Sequence, residues 1–154
     1  METFRITSRE YADLSGEGGM YASGRWHTRG HPIVYTAGAR SLAILEKLVH
    51  TNPAELPDDQ VLITVDIPDA LSSETISLAG VPDSWTTPLD PACLALGDAW
   101  LQRMDAAVLR VPAAVVPEES NYLINPLHPD AGRITITAAR PFQFDERLVD
   151  PGRR

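Results

Sequence analysis

The sequence predicts a single α+β domain, a mixed β-sheet core carrying a few helices. Three observations predict it. Short β-branched or alternating stretches recur along the whole chain, and two segments, 39–50 and 90–104, carry helical signals. These strands and helices do not follow the regular alternation of a doubly wound parallel sheet. At 154 residues the chain fits one domain, able to bury about two-thirds of its unfolded surface. A hydrophobic fraction of 44% is ordinary for a soluble globular protein.

In chain order, Phe4-Arg5-Ile6 reads as a short strand. Residues 13–19, Asp-Leu-Ser-Gly-Glu-Gly-Gly, read as a flexible glycine-rich loop, and Ile33 to Thr36 as a second strand. Residues 39–50 carry apolar side chains at helical spacing, and Pro53 and Pro57 mark the loop that follows. Val61 to Ile67 is the clearest strand, rich in β-branched residues and stopped by Pro68. Trp85 to Pro88 reads as a turn or loop. Asp90 supplies an N-cap and Pro91 an N1 proline for a helix running to about Met104. Ala107 to Val111 reads as a strand ended by Pro112, and Ile134-Thr135-Ile136-Thr137 alternates as another. The domain is expected to span 1–150, with residues 151–154 as a tail.

The formal net charge of -8 argues against nonspecific nucleic-acid binding, which needs a basic face, and against docking on an anionic membrane. A basic pocket inside an acidic shell is compatible with it, and Arg5 with Arg25 hints at one. No charged segment followed by an apolar one opens the chain, and no apolar run approaches the roughly 20 residues of a membrane span. The expected location is the cytoplasm. The single cysteine, Cys93, leaves no internal disulfide and no Cys-rich zinc site; between Pro91 and Leu94 it reads as a small buried apolar residue. His27 and His31 are four apart, but Gly30 and Pro32 break the helix that would align them, so no metal is expected. Gly16-Glu17-Gly18-Gly19 follows no βα unit and is no phosphate loop of the dinucleotide-binding kind, although it could form a rim or lid.

Five polar residues stand out from these elements. On the 39–50 helix, at about 100° per residue, Leu42, Val49, Leu45 and Leu48 span an apolar arc with Glu46 at its margin and Lys47 pointing away. A carboxylate there is either half-desolvated in a site or swings out to water or an arginine. Arg25, in Gly24-Arg25-Trp26, has a planar fork suited to phosphate oxygens; the alternative is a surface arginine stacked on Trp26. Arg5 faces opposite to Phe4 and Ile6, towards a cleft or solvent. Tyr35 ends an apolar run and serves as core, rim or stacking platform, and Tyr21 competes for the stacking role. Ser120 lacks a glycine elbow, so it is no hydrolase nucleophile; it hydrogen-bonds a carboxylate or a ligand, or else caps a loop.

Taken in order, Phe4-Arg5-Ile6, Gly24-Arg25-Trp26, the Tyr35 strand, the Glu46 helix and Ser120-Asn121-Tyr122-Leu123-Ile124-Asn125-Pro126 resemble the RES-domain toxins, named for an arginine, a glutamate and a serine. The resemblance covers nearly the full length. It implies a fold similar to the ADP-ribosyltransferase catalytic core, with NAD as substrate and no separate cofactor. It further implies a toxin of a bacterial type II toxin–antitoxin pair that arrests growth by cleaving the nicotinamide–ribose bond, through hydrolysis or phosphorolysis. The implied partner is an antitoxin with an Xre-type DNA-binding domain, in a hetero-oligomeric complex. Glu46, Arg25 and Ser120 are then the catalytic residues, and Arg5, Tyr35, Tyr21 and Asn121 contact the substrate. Two alternatives stand beside this expectation: transfer of ADP-ribose to a protein acceptor, and a non-catalytic module that only binds a partner.

Overall fold

In the computed structural model, which describes residues 1–150, the elements run β1 (Glu2–Ser8), α1 (Gly18–Tyr21), β2 (Val34–Ala37), α2 (Arg40–Val49), β3 (Gln60–Asp66), β4 (Ser73–Thr75), α3 (Pro91–Arg103), β5 (Val108–Pro112), β6 (Ser120–Ile124), β7 (Thr135–Pro141) and α4 (Glu146–Val149). The expected tail, 151–154, lies outside the described residues. The strands form one seven-stranded sheet in the order β4-β5-β6-β2-β1-β3-β7. β4 and β5 are parallel, whereas every other neighbouring pair is antiparallel, so the sheet is mixed as expected.

β3 reads as an unbroken apolar run because it is covered on both faces: Gln60 to Val65 are all buried. It lies between β1, in register Arg5 to Ile63, and β7. Two strands carry too little signal in the sequence. β4 has three residues, and β6 opens on the polar pair Ser120-Asn121 before its apolar end. The glycine-rich stretch is a pinned turn followed by the single-turn α1, and not the flexible loop expected. Asp13 Oδ1 accepts from the Ser15 backbone N–H at 3.0 Å and its hydroxyl at 2.7 Å. The Gly16 carbonyl accepts from Gly19 N (3.0 Å) and Ile33 N (3.2 Å). Gly16 has φ +69°, and a Cβ there would stand 2.5 Å from the Ile33 nitrogen, so only glycine lets the turn press against the start of β2.

α3 starts as the sequence dictates. Asp90 accepts from Ala92 N at 3.0 Å and Cys93 N at 3.1 Å, with Pro91 at N1. Ser84 donates to the same carboxylate at 2.6 Å, and these bonds hold Asp90 below the usual carboxylate range, the Ser84 hydroxyl foremost. Cys93 is fully buried, as expected of a small apolar residue.

Strand alternation assigns the core to two faces. Val34, Ile63, Val65, Val108 and Ile124 pack on one face, joined by Ala12 and Leu14. The other face is shared between two helices. Trp26, Trp85, Trp100, Leu109 and Leu123 pack together with Cys93 and Leu101 of α3, and Phe4, Ile6, Leu62 and Phe142 pack with Leu42 and Ala43 of α2. Phe4 pairs with Ala37, two residues from Tyr35, which pairs with Leu123. Directly paired residues share a face, so α2 and α3 cover the same side of the sheet from opposite ends.

Candidate functional site

β1 and β2 are joined through a single paired position, Phe4 with Ala37. Continued in antiparallel register, Arg5 would pair with Thr36 and Ile6 with Tyr35. Instead the strands part there, and these four residues line a cavity of about 520 Å³. α2 contributes Ala43, Glu46, Lys47, Val49 and His50 to its wall, and the segments around Arg25 and Leu89 enclose it further. The cavity thus sits between the two helix clusters, where the sheet opens.

Glu46 is more deeply placed than its sequence pattern suggests. Leu42 and Ala43 are buried while Val49 is 58% exposed, so the face turned to the sheet lies between the first two. Glu46 projects about 40° round from Leu42 and about 60° from Ala43, in the middle of that face. Leu45 and Leu48, about 100° and 160° round from Glu46, are only half-buried. The helix was expected to bury its leucine arc; it instead presents the polar sector where the sheet is open and needs no apolar cover. Lys47, expected to point away, therefore lines the cavity. Burial depresses its ammonium below the ordinary lysine value, with the Arg5 charge adding to the effect.

Asn121 Nδ2 donates to Glu46 Oε1 at 2.7 Å, while Asn121 Oδ1 is buried with no hydrogen-bond partner among the described residues. Ser120, one residue earlier on β6, projects from the opposite face. Its hydroxyl accepts from Arg110 Nε at 2.9 Å, and it does not line the cavity. The hydroxyl contact to Glu46 expected of Ser120 is made by its neighbour's amide. Recognising 120–124 as a strand would have revealed this, because Asn121 and Leu123 must then share a face.

Arg25 and Tyr35 enter from the region of Trp26. That tryptophan is buried core that also lines the cavity, and it is Trp85, not Trp26, that the Arg25 guanidinium approaches. The Arg25 guanidinium lies 6.0 Å from the Trp85 ring centroid, and its Nη1 donates to the Trp85 carbonyl and, at 3.2 Å, to that of Thr87. Arg25 thereby ties the 85–89 segment across the cavity. Leu89, at the end of this segment, lines the cavity with φ 54°. Tyr35 is anchored by its hydroxyl, which accepts from the Trp26 N–H at 3.2 Å and lies 2.8 Å from His27 Nδ1. His27 Nε2 sits 2.9 Å from the Ala22 carbonyl and must donate to it, which leaves Nδ1 as acceptor for the tyrosine. Burial fits this neutral tautomer, pushing the imidazole below its ordinary value and the Tyr35 phenol above its own. With its hydroxyl committed, Tyr35 offers the cavity its ring. Tyr21 is 64% exposed, donates to Glu17 Oε1 at 2.9 Å and lies outside the cavity.

Arg5 lines the cavity, and burial lowers its guanidinium below the ordinary value against a weaker opposing pull from Asp13. The structure therefore brings Arg5, Arg25, Tyr35, Glu46 and Asn121 together and leaves Ser120 and Tyr21 outside. Sequence reasoning missed Lys47 and His27.

The RES domain profile matches residues 2–145. The chain belongs to the RES-domain family. A relative from Sphingobium sp. (strain YBL2), named Prs ADP-ribosylating toxin, is 39% identical over 143 residues, covering 91% of this chain and 89% of its own. Proteins named Toxin Res from Photorhabdus laumondii and Pseudomonas putida are 36% and 39% identical, each covering at least 96% of both chains. Among solved structures, the M. tuberculosis MbcT–MbcA toxin–antitoxin complex contains a chain of the same fold, with a TM-score of 0.73 at 19% identity over 92% of this chain and 83% of that one. Among the described residues no group of three or more His, Cys, Asp or Glu side chains is placed to hold a metal ion.

Proposed function

We propose that this RES domain is the toxin of a toxin–antitoxin pair and that it consumes NAD by cleaving the nicotinamide–ribose bond. The observation that carries the proposal is Glu46, the one carboxylate among the described residues that line the cavity, oriented by Asn121. Breaking that bond builds positive charge on the ribose as it approaches an oxocarbenium ion. Glu46 Oε1 is held by the Asn121 amide while Oε2 makes no hydrogen bond among the described residues, so a carboxylate oxygen is available to the sugar. Preorganised in this way, it stabilises charge that appears only in the transition state. Asn121 takes the positioning role that the resemblance gave to Ser120.

Tyr35 stacks on the nicotinamide ring. Arg25, whose other guanidinium nitrogens make no hydrogen bond among the described residues, holds the dinucleotide so that the ring departs into the pocket. Nicotinamide leaves neutral, so no strong general acid is required. This agrees with a site whose buried histidine is spent on fixing the tyrosine. Water or phosphate then takes the ADP-ribosyl group. A second acceptor, a protein side chain, is favoured by the name of the Sphingobium relative, an ADP-ribosylating toxin. The first half of the reaction is common to both.

The proposed partner is an antitoxin, as in the toxin–antitoxin complex whose fold is shared, with an Xre-type DNA-binding domain expected of it. The cytoplasm, which holds the NAD pool, is the proposed location, and no helix among the described residues is long and apolar enough to cross a membrane. Incubation of the purified chain with adenine-labelled NAD tests the proposal. Free ADP-ribose marks hydrolysis, ADP-ribose phosphate in added phosphate marks phosphorolysis, and label on protein in added lysate marks transfer. No nicotinamide release under any of these conditions refutes it.

A further inference from the structure

The charge of the cavity is opposite to that of the chain. The whole sequence carries a formal -8, yet among the described residues the charged side chains lining the cavity are Arg5, Arg25 and Lys47 against the single carboxylate of Glu46. Arg5 and Lys47 are both half-buried. Among the described residues neither side chain makes an ion pair or a hydrogen bond: Asp13 pulls on Arg5 and Asp59 on Lys47, but neither carboxylate is within ion-pair distance. Two like charges lining one cavity and withdrawn from water, with the Arg5 charge disfavouring protonation of Lys47, destabilise the empty fold. Such an arrangement is expected where a ligand brings the missing anion.

We propose, resting on the cavity's role as a dinucleotide site, that Arg5 and Lys47 together form its diphosphate subsite. Lys47 follows Glu46 directly on α2, and the two residues serve adjacent pieces of one ligand. Glu46, fixed from β6 by Asn121, meets the sugar, and Lys47, which lines the same cavity as Arg5, meets the phosphates linked to it. A lining of three cations and one carboxylate leaves two positive charges unmatched, and a diphosphate diester carries two negative ones. Arg25 has Nη1 committed to the carbonyls of Trp85 and Thr87 and is secondary for this group.

The test uses the full chain, its Lys47→Gln, Lys47→Arg and Arg5→Gln variants, and two measurements. In the first, ADP and adenosine are titrated by calorimetry, with melting curves confirming that each variant is folded. The parent is expected to bind ADP more tightly than adenosine. Lys47→Gln weakens ADP by about tenfold or more, the scale of a charge-assisted hydrogen bond, with adenosine much less affected, and Lys47→Arg restores most of the loss. In the second, kcat/KM for NAD is divided by that for nicotinamide riboside, which lacks the phosphates; this ratio falls at least about tenfold in Lys47→Gln. Parental ADP affinity in folded Lys47→Gln and Arg5→Gln, or an equal loss on NAD and the riboside, overturns the subsite. Calorimetry needs no turnover. A parent that binds ADP through Lys47 without cleaving NAD would overturn the catalytic proposal and leave the subsite standing; NAD cleavage indifferent to Lys47 and Arg5 would do the reverse.

Discussion

Gly97 lies in the middle of α3, where the helix crosses the backbone of Trp26, and replacing it with alanine should damage both fold and site. A Cβ at this position would stand 1.7 Å from the Trp26 carbonyl oxygen and 2.6 Å from its carbonyl carbon. Both are main-chain atoms, so no side-chain rotation relieves the clash. Bringing the oxygen to even 3.0 Å, the limit of real contacts, requires helix and segment to part by about 1.3 Å. Overpacking of this kind costs about 3 kcal/mol, and the gain in helix propensity from glycine to alanine returns about 1 kcal/mol. The net loss of about 2 kcal/mol corresponds to a fall in Tm of roughly 4–8 °C for a chain of this size. Trp26 adjoins Arg25, so the displacement is passed to the guanidinium and to the 85–89 segment it holds. A 1 Å misplacement of a positioning group can cost about 10²-fold, and kcat/KM for NAD should fall by more than tenfold at temperatures where the variant remains folded. Differential scanning calorimetry and a nicotinamide-release assay measure the two effects. Gly132→Ala, with nothing within 4 Å of the new methyl, is the control and should behave as the parent. A Gly97→Ala protein that melts at the parental temperature with parental activity refutes the packing on which the cavity's far wall depends.

Three further outcomes are expected. Glu46→Gln keeps its bond to Asn121 through the amide oxygen and still binds NAD by calorimetry, but loses about 10²–10³ in kcat; turnover at the parental rate would remove Glu46 from the chemistry. Tyr35→Phe leaves the Trp26 N–H without a partner, while His27 Nδ1 keeps the Gly24 N–H, and costs about 1–3 kcal/mol in thermal unfolding, yet raises KM less than Tyr35→Ala, which loses the ring; equal effects on KM would mean that the hydroxyl, not the ring, meets the ligand. Asp90→Ala lowers Tm, and the gap to the parent depends on pH with a fixed sign. The folded carboxyl titrates below its unfolded value, so its contribution is complete above about pH 4 and fades as pH falls through the folded value. Melting curves between pH 2 and 7 should therefore converge at the acid end, and a gap that widens there would contradict the cap.

The elements legible in the sequence were those whose pattern arises from one cause. β3 is apolar because neighbours cover it on both sides, and α3 announces itself through Asp90 and Pro91. β6 was hidden because its first two residues answer to different demands: Ser120 meets Arg110 on one face, and Asn121 meets Glu46 on the other. β4 was invisible for a simpler reason, since three residues are too few to show a period. The phase of α2 was misjudged because a helix laid over an opening in the sheet need not bury its most apolar arc. Leu45 and Leu48 pull a sequence-based reading one way, and Leu42 with Ala43 fixes the other. His27 was legible only as a metal candidate, because its actual work depends on Tyr35, eight residues away, and on the Ala22 carbonyl.

The same geometry explains why the site residues looked like poor strand and helix residues. Arg5 sits in a strand that is buried on both sides, where a guanidinium costs stability unless the sheet opens beside it. Glu46 sits on the inward face of a helix, where a carboxylate costs stability unless an amide and a cavity receive it. Both positions become tolerable through one departure from regular structure, the parting of β1 from β2 beyond Phe4 and Ala37. Closing that parting with a full ladder would add backbone hydrogen bonds and strand the arginine, the lysine and the glutamate in a dry interior. The polar residues and the incomplete pairing therefore require each other, and a local conflict with the rules of folding is where function is expected. A chain in which Arg5, Glu46, Lys47 and Asn121 are replaced together by Ile, Leu, Leu and Val should be more stable than the parent and inert towards NAD.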